Sequence, residues 1–227
     1  MENQQKGFNM LKKRIDTLAY QVNPVARHCE GSCDFLVKTA AIVPDSVEYF
    51  NNLTPKPDHI YLLVIGMTDS YFYGANKNGD FFRGEDLKKY YKRFENAGIF
   101  WNHDNKDMSK SSGKVIKAFY NEQMHRVELV MEIPKSNARY IPNYIEAGKP
   151  IAVSMGLRTP YEICSICGHK TVGSYDNRCN HLKFEMNKVY DDGRRVYAIS
   201  GVPMNIFDIS VVYRPADRVA YALLTKS

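Results

Sequence analysis

No stretch of this 227-residue chain approaches the roughly 20 apolar residues needed to cross a bilayer. The longest apolar run, Tyr61 to Met67, has the length of a strand. The opening residues, MENQQKGF, lack the apolar segment of a secretory signal. Both absences lead us to expect a soluble protein made and kept in the cytosol. Internal repeats and low-complexity linkers are also missing, which excludes a solenoid or a tethered array. Charge of one sign is only mildly in excess. A net +6 suits contact with an acidic partner and equally suits a Lys-rich solvated surface. Cysteine is sparse and odd in number, five in all, yet three fall within sixteen residues beside histidines. In a cytosolic chain that clustering speaks for metal rather than disulfides. An apolar share of 44% supports a real core, a charged share of 25% argues against wholesale disorder, and the length fits one decorated domain.

The pattern of apolar residues predicts an amphipathic helix over 8–20, with Phe8, Leu11, Ile15 and Leu18 on one side and Asn23-Pro24 closing it. A strand at Phe35–Val37 and a short helix over Asp45–Leu53 follow. Tyr61–Met67 reads as a buried strand leading into a turn-rich loop, Gly74 to Asp80. Glu85–Ala97 reads as a helix ended by Gly98. Ile99–Trp101 and Gly113–Tyr120 read as extended. In Val127–Ile133 every odd position is apolar, while Glu128 and Glu132 share the other face. A helix capped by Ser136, bent near Pro142 and stopped by Gly148 is expected next, then strands at Ile151–Leu157, Val196–Ile199 and Ile206–Tyr213. Strands and helices interleave without a regular βαβ rhythm, which predicts an α+β fold with a mostly antiparallel β-sheet or barrel core and flanking helices.

The strand Ile151–Leu157 divides its labour. Ile151, Val153, Met155 and Leu157 point one way, and Ala152, Ser154 and Gly156 the other, a face stripped of bulk around one hydroxyl. A serine nucleophile needs that clearance for substrate backbone and for the donors of an oxyanion site. A serine filling a tight strand contact would look the same. A hydroxyl also needs a base at neutral pH. Of the six histidines, His103 stands where the apolar Ile99-Phe-Trp101 strand emerges into a polar loop, a natural address for one. A third group should orient the imidazole. Glu132 and Asp208 are both open to this role, each an acid on a strand otherwise committed to the core.

Cys164-Ser-Ile-Cys167 presents two thiolates to one ion, and Cys179-Asn-His181 supplies a second short pair across a hairpin. This is the pattern of a structural Cys₃His zinc site, closed to further ligands. His169 is an alternative fourth ligand, but it lies so near Cys167 that His181 closes the site more easily. His28, Cys29 and Cys33 imitate a half-site without a partner pair and are assigned no metal.

Several segments occur in order: Asn76 to Phe82, Phe100-Trp-Asn-His103, Leu129-Val-Met-Glu132, Ala152-Val-Ser-Met-Gly156, the cysteine segment, and Phe207 to Asp217. Over residues 60–222 this series resembles the prohead (capsid maturation) serine proteases of tailed phages, a group related in fold to the herpesvirus assembly proteases. The resemblance implies a protease domain over 59–227 with a zinc-binding insert at about 163–182; residues 1–58, read as a helical or irregular arm, lie outside it. It implies Ser154 as nucleophile, His103 as base and Glu132 in the position of the acid. Herpesvirus relatives use a second histidine there, and no histidine stands in the final strands here. Relatives often carry a similar cysteine insert, which favours His181 as fourth ligand. Scaffold and major capsid proteins would be the substrates, in the host cytoplasm inside the assembling prohead. Self-association is compatible with this, and neither membrane nor nucleic acid is required. On the same reading the 8–20 helix docks on scaffold or on a neighbouring copy. Two other functions compete: a His-Asn-His nuclease, suggested by Trp101-Asn-His-Asp-Asn105, and a zinc-stabilised binding module.

Overall fold

A computed structural model describes residues 44–227, and Asp45–Ser227 form one compact unit. The expected helix over 8–20, the strand at Phe35–Val37 and the His28, Cys29, Cys33 group lie outside the described residues. Among the described residues no helix is long and apolar enough to cross a membrane.

The alternation read in 127–133 produces an interior strand of the main sheet. Val127, Leu129, Met131 and Ile133 are buried in the main core, together with Ile60, Leu62 and Val64 of a neighbouring strand. The strands are β1 (His59–Thr68), β2 (Asp80–Phe81), β3 (Gly98–Trp101), β4 (Gly113–Asn121), β5 (Arg126–Pro134) and β6 (Ala152–Arg158), then β7 (Glu162–Cys164), β8 (Lys170–Thr171), β9 (Ala198–Ser200), β10 (Asn205–Val212) and β11 (Ala222–Lys226). Seven of them form a sheet in the order β11-β1-β5-β4-β3-β10-β6. All its pairs are antiparallel except β3 with β10. The sheet curls into a half-barrel, and Ala152 at the start of β6 bridges Tyr221 just before β11. A smaller sheet, β2-β9-β7-β8, carries the cysteine segment. The fold is therefore α+β, with few helices.

The uninterrupted apolar run of β1 has a physical reason: both of its faces are covered. One face joins the main core. On the other, Tyr61 and Leu63 meet Val130 and Phe50, the latter from helix α1 (Asp45–Asn52). Ser46 of α1 donates to the buried Glu128 carboxylate, which also accepts Arg126 Nε at 2.7 Å and Asn121 Nδ2 at 3.1 Å. Residues 45–58, grouped with the N-terminal arm by sequence, thus belong to the compact unit of the sheet.

Two helices differ from expectation. The one predicted over Glu85–Ala97 is a short helix, α3 (Gly84–Tyr90; α2 is Ser70–Tyr73), continued by a 3-10 turn, Tyr91–Phe94. The chain leaves through Asn96 at φ +71°, and Gly98 opens β3 instead of capping a helix. Gly98 is demanded by packing, because a Cβ there would stand 2.7 Å from the Phe100 ring. The helix predicted from Ser136 is likewise two pieces, a 3-10 turn at Lys135–Asn137 and α4 (Ile141–Glu146). Arg139 at φ +45° separates them, and Pro142 lies in the first turn of α4, where its fixed φ starts a helix rather than bending one.

Candidate active site and metal cluster

Strand β3 ends in a turn of unusual backbone. Asn102 (φ +48°) and His103 (φ +60°) are successive left-handed residues without a glycine. Such residues persist where surroundings over-determine them. Here the Asn102 N–H donates to the Val211 carbonyl at 3.0 Å, and the Asp104 N–H to that of Trp101 at 3.0 Å. The His103 N–H donates to Ser210 Oγ at 3.1 Å. The turn is thereby riveted to β10, and it delivers the imidazole to an acid on that strand.

That acid is Asp208. His103 Nδ1 lies 2.8 Å from Asp208 Oδ2, with the carboxylate wholly buried and the imidazole 41% exposed. An ionised carboxylate only accepts, so Nδ1 carries the proton and Nε2 is left as the acceptor. Asn105 Nδ2 donates to the same Oδ2 at 2.8 Å, and Ser210 Oγ donates to Oδ1 at 2.8 Å. Asp208 pairs with Gly98 of β3 and Gly156 of β6, and Gly156 leaves the space for its carboxylate. At Gly156 a Cβ would approach Asp208 Oδ2 to 2.6 Å. The small-residue face of β6 is therefore fitted to this acid.

Ser154 lies opposite Ser210 in the β6–β10 register and is 4% exposed. Among the described residues its hydroxyl has no hydrogen-bond partner. The serine, the acid and the histidine thus stand on, or one turn beyond, three consecutive strands, β6, β10 and β3.

Glu132 is elsewhere. It sits on β5 and accepts Lys56 Nζ at 2.7 Å and the Tyr61 hydroxyl at 2.9 Å. Burial raises its pKa, but the hydrogen bonds from Lys56 and Tyr61 outweigh that and hold the carboxyl below its ordinary value. Both bonds go to Oε1 and tie Glu132 to Lys56 and to Tyr61 of β1, and the acid beside His103 is Asp208 on β10. Asn105 and Ser210 did not emerge as site residues from sequence. Ser210 left a trace, since Asp208 and Ser210 put two polar groups on one face of a strand whose other residues are mostly apolar.

The cysteine segment builds a second cluster. Cys164 ends β7, and its carbonyl accepts the Gly168 N–H at 3.0 Å, Gly168 taking φ +70° in a tight knuckle that holds Cys167. Cys179 caps the short helix α5 (Asn180–Phe184), whose second residue is His181. The ligand atoms of Cys164, Cys167, Cys179 and His181 all lie within 4.8 Å of one another. Two metal–sulfur bonds of about 2.3 Å span up to about 4.6 Å, so one ion can gather the set with little movement. Burial pushes the Cys164 thiol up. The His169 backbone N–H, followed by His181, draws Cys167 down. His169 itself is turned away, with Nε2 2.8 Å from the Asn177 carbonyl, so it is not the fourth ligand. Three sulfurs and one imidazole form a soft set suited to a metal ion.

No protein-family model, no curated protein and no solved structure matches this chain. Its chemistry rests on the geometry above.

Proposed function

We propose that this chain is a serine endopeptidase, with Ser154 as nucleophile, His103 as general base and Asp208 as the group that orients and supports the imidazole. The observation that carries the reading is the 2.8 Å bond from His103 Nδ1 to a fully buried carboxylate, with a serine in a cleared face on the neighbouring strand. Ser154 Oγ attacks the scissile carbonyl and gives its proton to His103 Nε2. The tetrahedral intermediate collapses as that proton passes to the leaving amine. Water, deprotonated by the same nitrogen, then releases the acyl group. Asp208 supports the imidazolium through its bond to Nδ1.

The resemblance to tailed-phage prohead proteases extends the reading to scaffold and capsid proteins as substrates within an assembling prohead. It also carries the suggested kinship in fold with the herpesvirus assembly proteases. The Cys₃His cluster would hold a structural zinc ion, since four protein ligands leave no position for substrate. A His-Asn-His nuclease is disfavoured, because His103 leads into a 3-10 turn, Met108–Lys110, and then β4, where that chemistry needs a helix. Incubating the purified protein with its co-expressed scaffold tests the proposal. Scaffold fragments should appear with the wild type and be absent with Ser154→Ala. Equal processing by both would remove the protease reading.

A further inference from the structure

A buried carboxylate without a cation nearby depends on neutral donors for its stability. Among the described residues, Asp208 makes no ion pair with lysine or arginine. Its donors are His103, Ser210 and Asn105. Asn105 is the odd one of the three, because it belongs to a solvent-facing loop. Of residues 102–110 it alone is not exposed. Its amide turns inward and meets the same Oδ2 that receives His103 Nδ1, at the same 2.8 Å.

We infer that Asn105 is a positioning residue that holds His103 in its Nδ1–H tautomer. The catalytic meaning of the inference rests on the function proposed above. Two donors converging on one oxygen fix its place, while Ser210 holds the other oxygen and stops the carboxylate from rotating. Asn105 also closes the strained Asn102-His103 turn onto β10 from its far side, complementing the Ser210 bond to the His103 N–H. Neutral imidazole in water prefers its proton on Nε2, the tautomer in which Nε2 cannot accept a proton from serine. The opposite tautomer therefore has to be imposed. Without Asn105, Oδ2 keeps one donor, and the imposed preference weakens.

The full-length protein with ¹⁵N-labelled histidine gives a direct readout. Ring-nitrogen correlations of His103 at neutral pH should show the Nδ1–H form in the wild type and a clear Nε2–H share in Asn105→Ala. In parallel, inactivation by a fluorophosphonate probe should slow on the order of 100-fold in Asn105→Ala, the scale of a misplaced catalytic group. Lys106→Ala, in the same loop, should match the wild type in both. Asn105→Leu preserves the bulk while removing the donor and should lose the tautomer in the same way, which keeps the test valid if the alanine variant fails to fold. An unchanged tautomer in a folded Asn105 variant overturns the inference, even if its melting temperature falls. Failure of the wild type to react with the probe would instead strike the proposed function, while the tautomer measurement would still decide the role of Asn105.

Discussion

Two of the polar clusters among the described residues are built in opposite ways. The His103–Asp208–Ser154 group joins strands remote in sequence, its central bond spanning 105 residues. The cysteine cluster draws all its ligands from the stretch between Cys164 and His181. One is a buried carboxylate packed against Gly156 and fed by neutral donors. The other is a set of sulfurs at the rim of a four-stranded sheet, over a small core of Leu182, Val196 and Ala198. The first depends on register across β3, β10 and β6, so it exists only when the main sheet is formed. The second depends on local turns, and an ion held there would couple metal binding to folding. On the proposed function, chemistry that needs accurate aim is built on the sheet, and the insert would supply local stability.

Substitutions can break this contrast. The largest effect is expected at Asp208. Asp208→Asn should lower the rate of peptide cleavage by about 10,000-fold, because an amide in place of the carboxylate favours the wrong imidazole tautomer. Circular dichroism should remain that of the wild type. Glu132→Gln should leave the rate within a few-fold, and a reversal of the two results would return the acid role to β5. Next comes Gly156→Ala. A methyl 2.6 Å from Asp208 Oδ2 must displace the carboxylate. We expect a large loss of activity together with a stability cost of about 1–3 kcal/mol by denaturant unfolding.

In the insert, replacing Cys164 and Cys167 together by serine should abolish metal binding, read as loss of about one zinc per chain by elemental analysis. The melting temperature should fall, with activity declining only as far as the fold loosens. A metal-free wild type of equal stability would remove the structural role of the cluster. The smallest effect concerns Glu132 and acid. Its folded pKa lies below the ordinary value of 4.5. Its contribution to stability is therefore present above that value and disappears as pH falls through the folded pKa. The deficit in melting temperature of Glu132→Gln should be full at neutral pH and should vanish as the pH drops well below 4.5. A deficit that persists there would mean that Glu132 acts by packing.

The same contrast explains what could be read from sequence. The cysteine cluster was legible, ligand by ligand, because its geometry is written in local spacing. Strands β1, β3, β4, β5, β6 and β10 were legible from apolar periodicity, and so was the cleared face around Ser154. The partner of His103 was only half legible. Glu132 and Asp208 look alike along the chain, each an acid amid apolar neighbours. Only the order β5-β4-β3-β10-β6 tells which one reaches the β3 turn. Asn105 and Ser210 were hidden for the same reason, since their meaning comes from long-range register. The helix predicted to end at Gly98 failed because that glycine answers to the Phe100 ring, a contact within a strand that no helix-ending rule contains.

The central claim is that Ser154 is a nucleophile activated by the His103–Asp208 pair. Treating the native protein with a fluorophosphonate and mapping the adduct by peptide mass spectrometry tests it most directly. The account predicts a single adduct on the peptide carrying Ser154, formed at least 100-fold more slowly in His103→Ala, the scale of general-base assistance. An unlabelled Ser154, or labelling at the same rate without His103, would contradict it.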